Sequence, residues 1–340
     1  MAAFLPRART CLLAIALAAT ASNAAFAQRN ASDETELPAG VRRDDLRSPF
    51  WRRVREPSRA RADRHFRRGL VFFVRAEEQP TLPRRVAVMR SAVLRFQRAA
   101  ALAPNHREAL FYLGRTLAAL EALNGDEAGD EAALEALERL RELDPTYRTD
   151  VVGFELGLLY TRRGRYEEAI EAYEAGIAGA LSQGEATSIA HSNLAEVRMM
   201  SGDLLGAVAD YERAIRLATQ SGRSAQSLGL PLFGLAVALD RLGEREEARR
   251  RATQAVAASG GTTLMLRAEG VFYDPESEVF YYEGLGQEAI AESSQGEARG
   301  SALESARAAW TTYLRLAARD DRWRQSAEDH LREVETALGR

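Results

Sequence analysis

From about residue 58 onward, apolar residues recur three or four positions apart, with interruptions at Pro, Gly and Asn. This period is typical of one face of an α-helix. It predicts about 13 helices of about 13 to 19 residues. At ALAPNHREAL (residues 101–110), Pro104 is predicted to end one helix and Asn105 to cap the next. Glu108, three residues on, is expected to bond back to Asn105 as in a capping box. The nearest exception to helix is the short apolar stretch TTLMLRAEGVFY (residues 262–273).

Five of these helices share one spacing of small and bulky residues, which indicates a repeated unit. The shared positions are Ala92, Phe96 and Ala99; Ala133, Leu137 and Leu140; Ala169, Tyr173 and Gly176; Ala207, Tyr211 and Ala214; and Ala248, Ala252 and Ala255. Two antiparallel helices approach most closely where side chains are small, and a bulky residue such as Tyr173 fills the gap toward the next pair. Gly164 and Gly202 are predicted to end first helices in a left-handed conformation. Because one pair cannot bury its apolar face alone, stacked pairs are expected.

These residues resemble the tetratricopeptide repeat (TPR) family. The resemblance is strongest over residues 150–221, where LGLLYTRRGRYEEAIEAYEAG and NLAEVRMMSGDLLGAVADYERAIRLA follow the family pattern without gaps. The unit at residues 229–262 follows it with Ala252 in place of the usual aromatic, and the two earlier units match in their second helices. The resemblance implies an all-α fold, an α-solenoid of stacked antiparallel helix pairs forming a TPR-like superhelix. We expect TPR-like repeats at residues 58–258, and a degenerate repeat and C-terminal capping helix at residues 259–340.

In proteins of this family, the first helices line a concave groove that binds a protein or peptide partner. The positions that the resemblance assigns to this groove are Phe154, Leu158, Arg162, Glu196, Met199, Met200, Phe233, Val237 and Arg241. Their mixture of apolar side chains and Arg suits an apolar, somewhat acidic partner segment. Versions that capture a C-terminal carboxylate use Lys and Asn, and this sequence has no Lys, so such capture is not expected. The alternative is that Phe154 and Phe233 belong to the core between repeats.

The first 27 residues follow the order of a secretory signal peptide: Arg7 and Arg9 without acids, the apolar run CLLAIALAATA, and small residues ahead of Gln28. The run is short for a membrane span of about 20 residues. An uncleaved anchor or a buried helix are the alternatives. We expect no other transmembrane span and secretion to a bacterial periplasm. Residues 28–57 are expected to form a flexible basic leader, which either docks on an acidic partner or anionic lipid surface, or packs Trp51 on the first helix pair.

Composition excludes several kinds of chemistry. The only cysteine, Cys11, lies in the predicted signal peptide, and all 46 basic residues are Arg. A mature chain without thiol or Lys has no disulfide, Cys nucleophile, Walker-type P-loop or Schiff base. The four His are scattered without metal-ligand spacing, and no nucleophile elbow occurs. We therefore expect no catalytic, cofactor-binding or metal-binding residues and no enzyme. Nucleic acid binding is not expected, because the chain beyond its N-terminal basic part is net acidic.

The sequence therefore predicts a non-catalytic TPR scaffold that mediates protein–protein interactions in a bacterial envelope assembly. Candidate assemblies are motility, secretion, pilus and cell-wall machinery, and the sequence does not choose among them. The alternative is a periplasmic binding module for a soluble ligand or peptidoglycan. That function would use a pocket near residues 262–282, where the sequence is most irregular and richest in aromatic residues.

Overall fold

A computed structural model describes residues 57–340 except residues 125–126, 185–186, 269–270, 272 and 274. The helices of this part are, in chain order, α1 (Pro57–Glu77), α2 (Leu82–Leu102), α3 (Arg107–Asn124), α4 (Glu127–Leu143), α5 (Thr149–Arg162), α6 (Tyr166–Ser182), α7 (Ser188–Ser201), α8 (Leu204–Gln220), α9 (Gly229–Arg241), α10 (Arg245–Ala258), α11 (Glu278–Ser293), α12 (Gly296–Leu316) and α13 (Arg324–Ala337). Two 3-10 turns, Ala225–Leu228 and Leu264–Arg267, complete it.

The predicted fold class, an all-α array of stacked antiparallel helix pairs, is confirmed. Helix α1 packs along α2, α3 along α4, α7 along α8, α9 along α10, and α11 along α12. The described residues contain no strand, and the exceptional stretch at 262–273 holds a 3-10 turn instead. None of the helices in this part combines the length and apolarity needed to cross a bilayer. The predicted signal peptide, and the basic leader up to residue 56, lie outside the described residues.

The predicted repeat positions form the core of the pairs. All fifteen are buried, from Ala92 in the first unit to Ala255 in the fifth. The turn glycines Gly164 and Gly202 have φ of +67° and +98°, so their predicted left-handed conformation is confirmed. The reason for small residues is visible at Gly114, where an added Cβ would lie 2.5 Å from Cγ of Leu137. These positions therefore set how closely the helices of a pair approach.

The predicted cap at Asn105 is wrong. Helix α3 begins at Arg107, and the residue before it is His106. The Nδ1 atom of His106 lies 3.3 Å from the backbone N–H of Ala109 and accepts its hydrogen bond. The His106 ring is held in this position because its Nε2 lies 3.3 Å from the Asp63 carboxylate on α1. The contact between His106 and Asp63 therefore positions His106, rather than Asn105, as the capping residue.

The described chain forms two compact units, the first ending at Leu159 and the second beginning at Tyr160 within α5. In the first unit the Tyr112 ring on α3 is surrounded by aromatic rings at centroid distances of 5.3 to 5.8 Å. Those rings are Phe66, Phe73, Phe96 and Phe111. In the second unit one continuous apolar core runs from α7 to α13.

The last helix pair of the second unit departs from the repeat geometry. Successive first helices of a regular array run parallel, but α11 runs antiparallel to α9. Its first residue, Glu278, pairs with Arg241 at the end of α9. Further along α11, Gly286 lies against the Phe233 ring near the start of α9. Helix α11 therefore begins beside the end of α9, so the sixth pair is not a further copy of the unit.

Candidate functional site

Six of the nine predicted groove residues lie on α7 and α9, and three of them contact the chain's own helix α11. The first is Glu196 on α7. Its carboxylate accepts hydrogen bonds from the Tyr282 hydroxyl on α11, at 3.0 and 3.1 Å, and from the Tyr211 hydroxyl on α8. Burial raises the pKa of Glu196, against the lowering effect of the two hydroxyls. The same burial raises the pKa of Tyr211 and Tyr282.

The second groove residue occupied by the chain itself is Arg241 at the end of α9. Its side chain is only 3% exposed and pairs with Glu278 at 2.5 Å. The guanidinium also lies 4.7 Å from the Tyr281 ring centroid and 4.9 Å from that of Trp323. Burial by itself would lower the pKa of Arg241, but Glu278 and the neighbouring tyrosines raise it. All three partners come from residues 275–340, so this position binds the C-terminal segment.

The remaining residues on these two helices are mostly core. Phe233, Val237 and Met199 are fully buried, and Phe233 packs beneath Gly286 of α11. For Phe233 the structure therefore supports the alternative of an inter-repeat core. Met200 is half-buried, and its backbone carbonyl accepts a 3.0 Å hydrogen bond from Arg322.

The three predicted groove positions on α5 are less buried than the core residues on α7 and α9. Phe154 and Leu158 in the first unit, and Arg162 in the second, are all half-buried. A role of any of the nine residues in binding a partner stays a prediction. What the structure adds is that the α7 and α9 positions are already used by internal contacts.

A buried cluster that the sequence did not reveal fixes α11 and α13 to α9. We call it the His330 cluster: His330, Asp240, Glu288, Trp310 and Tyr281. The imidazole Nε2 lies 3.0 Å from the Asp240 carboxylate, and Nδ1 lies 3.1 Å from both oxygens of Glu288. The Tyr281 hydroxyl donates to Asp240 at 2.6 Å, and Trp310 Nε1 donates to Glu288 at 2.6 Å. The imidazole stacks on the indole at 4.7 Å.

The His330 cluster holds a buried cation between two carboxylates. Burial by itself would lower the pKa of His330, but the hydrogen bonds and charges of Asp240 and Glu288 outweigh it and raise the pKa to about 10. The pKa of Asp240 is lowered, because the His330 contacts overcome the effect of burial. Every polar atom here has a partner within the chain, and His330 is 1% exposed. The cluster therefore joins α11, α12 and α13 to α9.

A second buried histidine, His191, is held in a separate set of contacts. His191 on α7 is buried with its Nδ1 2.8 Å from the Asp210 carboxylate, which also binds Arg198. Arg198 in turn reaches Glu174 on α6 at 2.6 Å. No group of three or more His, Cys, Asp or Glu within the described residues is placed to hold a metal ion. The polar interior is thus a set of ion pairs between helices.

The first unit carries a strongly basic helix pair. Residues 57–102, which span α1 and α2, contain 11 Arg and only three acidic residues. Because α1 packs along α2, the arginines of both helices belong to one basic part of the first unit. Residues 103–340 contain 26 Arg and 40 acidic residues, so the opposite sign prevails in the rest of the chain.

Family models match two parts of the chain. Models described as tetratricopeptide repeat cover residues 154–178 and residues 186–259. The second match contains helices α7 to α10 together with the segments that connect them. No curated protein is significantly similar to the chain.

Several solved structures are similar at low sequence identity. The pilF protein of Pseudomonas aeruginosa is 16% identical, with a TM-score of 0.47, over 83% of this chain and 99% of that chain. MamA from Desulfovibrio magneticus RS-1 is 17% identical, with a TM-score of 0.45, over 57% and 97%. YrrB, described as a TPR protein with an unusual peptide-binding site, is 16% identical, with a TM-score of 0.42, over 65% and 96%. On the family models, residues 154–178 and 186–259 of this chain are similar to tetratricopeptide repeats.

Proposed function

We propose that the protein is a non-catalytic scaffold that mediates protein–protein interactions in an assembly of the bacterial envelope. The observation that supports this most is the packing of a helix, α11, on the predicted groove positions Glu196, Phe233 and Arg241. A face that accepts a helix through hydroxyl, acidic and apolar contacts is suited to protein segments, as in helix-in-groove recognition. The interior ion pairs offer no chemistry for a substrate.

The occupied face also limits where a partner can bind. Displacing α11 from α9 would separate Arg241 from Glu278 and expose the apolar core that the two helices share. It would also break the His330 cluster. Helix α11 therefore acts as a permanent part of the second unit, and partners are expected at exposed surfaces instead.

The envelope location rests on residues 1–27, whose charge and apolar order match a secretory signal peptide. Motility, secretion, pilus and cell-wall machinery are all compatible settings. Expression with a C-terminal tag, osmotic-shock fractionation and mass measurement test the location. We expect a periplasmic protein that begins at Gln28. A cytoplasmic protein that keeps its first 27 residues would contradict the proposal.

Site-specific photo-crosslinking in intact cells tests the scaffold function. A photo-reactive residue at Leu205 on α8, which is 74% exposed, is expected to give discrete adducts with other proteins. The same residue at buried Leu235 is the matched control and is expected to give none. A scan of exposed positions on both units that yields no protein adduct would refute the scaffold.

The alternative function, a binding module for a soluble ligand or peptidoglycan, has one supporting observation. Tyr273, in the irregular segment, lies with its ring 5.2 Å from that of Tyr282, and Tyr282 binds Glu196. Aromatic rings beside a carboxylic acid are common in carbohydrate and small-molecule sites. Co-sedimentation with purified peptidoglycan sacculi that is lost on Tyr273→Ala would favour this function over the scaffold.

A further inference from the structure

The basic pair α1–α2 presents a compact group of arginines to solvent. Arg64 and Arg68 on α1 and Arg98 on α2 are exposed, and Arg95 is half-exposed. Gly69 on α1 packs against the Phe96 ring on α2, so the adjacent residues Arg68 and Arg95 come together across the pair. Besides burial, all four guanidinium groups also lower the pKa of His65. Within the part of the chain that the structure describes, none of the four forms an ion pair with an acid. Some exposed arginines elsewhere in the chain, such as Arg216 and Arg332, do pair with acids.

Two exposed apolar side chains accompany these arginines. Val71 on α1 is 50% exposed, and Leu94 on α2 is 59% exposed. Gly69 and Phe96 fix the antiparallel register of the two helices, and this register brings Val71 and Leu94 to the same level. We call Arg64, Arg68, Arg95 and Arg98, with Val71 and Leu94, the arginine face.

The positive charges of this face act on the neighbouring His65 ring. Burial of the His65 ring, followed by the charges of Arg95 and Arg98, lowers the pKa of His65. Its Nδ1 atom is buried without a hydrogen-bond partner. A negative ligand would relieve the repulsion among the guanidinium groups. Four guanidinium groups in one area also suit carboxylates, which they bind bidentately.

We propose that the arginine face binds an acidic segment of a partner protein, with Val71 and Leu94 receiving its apolar side chains. This inference rests on the proposed scaffold function and specifies the chemistry of the partner. A protein segment fits better than a membrane, because membrane-surface helices bury large apolar residues such as Trp, Phe and Leu over a whole face. The chain's own leader is a poor occupant, since residues 42–55 carry six Arg.

Binding of a defined probe tests the proposal in vitro. The probe is a fluorescein-labelled acidic helical peptide of Glu, Leu and Ala, measured by anisotropy against its Gln-for-Glu counterpart. The test variant neutralises the face with Arg64→Gln, Arg68→Gln, Arg95→Gln and Arg98→Gln. The matched control makes the same charge change on the second unit, at residues that are exposed there: Arg213→Gln, Arg223→Gln, Arg299→Gln and Arg319→Gln.

We expect the acidic peptide to bind the unmodified chain and the control, and to bind the test variant about ten to thirty times more weakly. That factor corresponds to four exposed ion pairs of ordinary strength. Raising the ionic strength from about 0.01 M to 1 M, which shortens the Debye length from about 30 Å to 3 Å, is expected to abolish binding. Equal loss in the test and control variants would overturn the proposal, because net charge alone would then explain binding.

Two further outcomes would also overturn it. One is tighter binding to phosphatidylglycerol vesicles than to the peptide, with loss in the test variant only, which would assign the face to a membrane. The other is a concentration-dependent dimer that the test variant lacks, which would assign the face to a second copy.

Crosslinking in cells separates this inference from the proposed function. A photo-reactive residue at Leu94 is expected to give a protein adduct that disappears when the four arginines are neutralised. Adducts from Leu205 on the second unit but none from Leu94 would overturn the inference and leave the scaffold intact. Adducts from neither position, nor from other exposed positions, would refute the scaffold itself.

Discussion

The buried His330 makes the stability of the second unit depend on pH in a defined window. The pKa of His330 is raised to about 10 in the folded chain, against 6.5 for an exposed histidine. The folded state therefore holds one more proton than the unfolded state between these two pH values. Stability from this group is complete below pH 6.5 and is lost as the pH rises toward 10. The perturbation that tests this is His330→Gln, which keeps a polar side chain but removes the titration.

The magnitude follows from proton linkage. One proton of difference changes the free energy of unfolding by about 1.4 kcal/mol per pH unit. Between pH 7.5 and pH 9.0, where an unfolded histidine is neutral and folded His330 is charged, the loss is about 2 kcal/mol. Buried tyrosines whose pKa is raised act only above pH 10, so they do not contribute in this interval.

The assay is urea unfolding followed by tryptophan fluorescence in a Trp51→Phe background. The two remaining tryptophans, Trp310 and Trp323, both lie in the second unit, and Trp310 stacks on His330. A local probe is needed because repeat proteins often unfold unit by unit. His65→Gln is the control, because the pKa of His65 is lowered and its titration lies below the interval. The reasoning is refuted if the unmodified chain is equally stable at both pH values, or if His330→Gln keeps the same slope.

Three further predictions concern packing and pairing. Gly234→Ala is expected to lower the free energy of unfolding by about 1–3 kcal/mol, because the added Cβ would overlap the Tyr211 ring. The control Gly300→Ala has open space around the added Cβ and should be neutral or stabilising. Equal urea midpoints for the two variants would contradict the predicted overlap. Asp203→Ala should lower the free energy of unfolding by about 1 kcal/mol, because the Asp203 side chain caps α8 by accepting a 2.9 Å hydrogen bond from the Gly206 N–H. Asp203→Asn should retain most of the stability that the cap contributes. Thermal melts in which the two variants behave alike would disprove the cap. Arg241→Met should lower the free energy of unfolding by about 3–5 kcal/mol, because it leaves Glu278 buried and unpaired. Adding Glu278→Leu should recover much of the lost stability in a double-mutant cycle. A double variant no more stable than Arg241→Met would show that the unpaired Glu278 is not the cause of the loss.

The repeat could be predicted from sequence because its cause is local. Spacing of three and four residues decides which side chains share a helix face, and side-chain size decides how closely two helices approach. Positions such as Ala207, Tyr211 and Ala214 therefore reveal their burial without a structure. The same signal was present but missed in α12, where Ala306, Trp310 and Tyr313 keep the spacing and are fully buried.

The candidate site could be predicted only in part. Family resemblance placed Glu196 and Arg241 on first helices, where the structure has them, but did not reveal what contacts them. Their partners, Tyr282 and Glu278, belong to a segment that follows the repeat pattern poorly. The arginine face could also be predicted only in part. The sequence places Arg64 and Arg68 on one helix, but only the pairing of α1 with α2 brings Arg95 and Arg98 beside them.

The sequence by itself determined the helices, their pairing and the small residues at their contacts, because these depend on neighbours within one turn or one hairpin. Only the tertiary structure decided the direction of α11, the buried cation at His330 and the pairing of Arg241. Those features depend on contacts between helices that are far apart in the sequence. A contact between residues 90 positions apart, such as Asp240 with His330, has no periodic trace in the sequence.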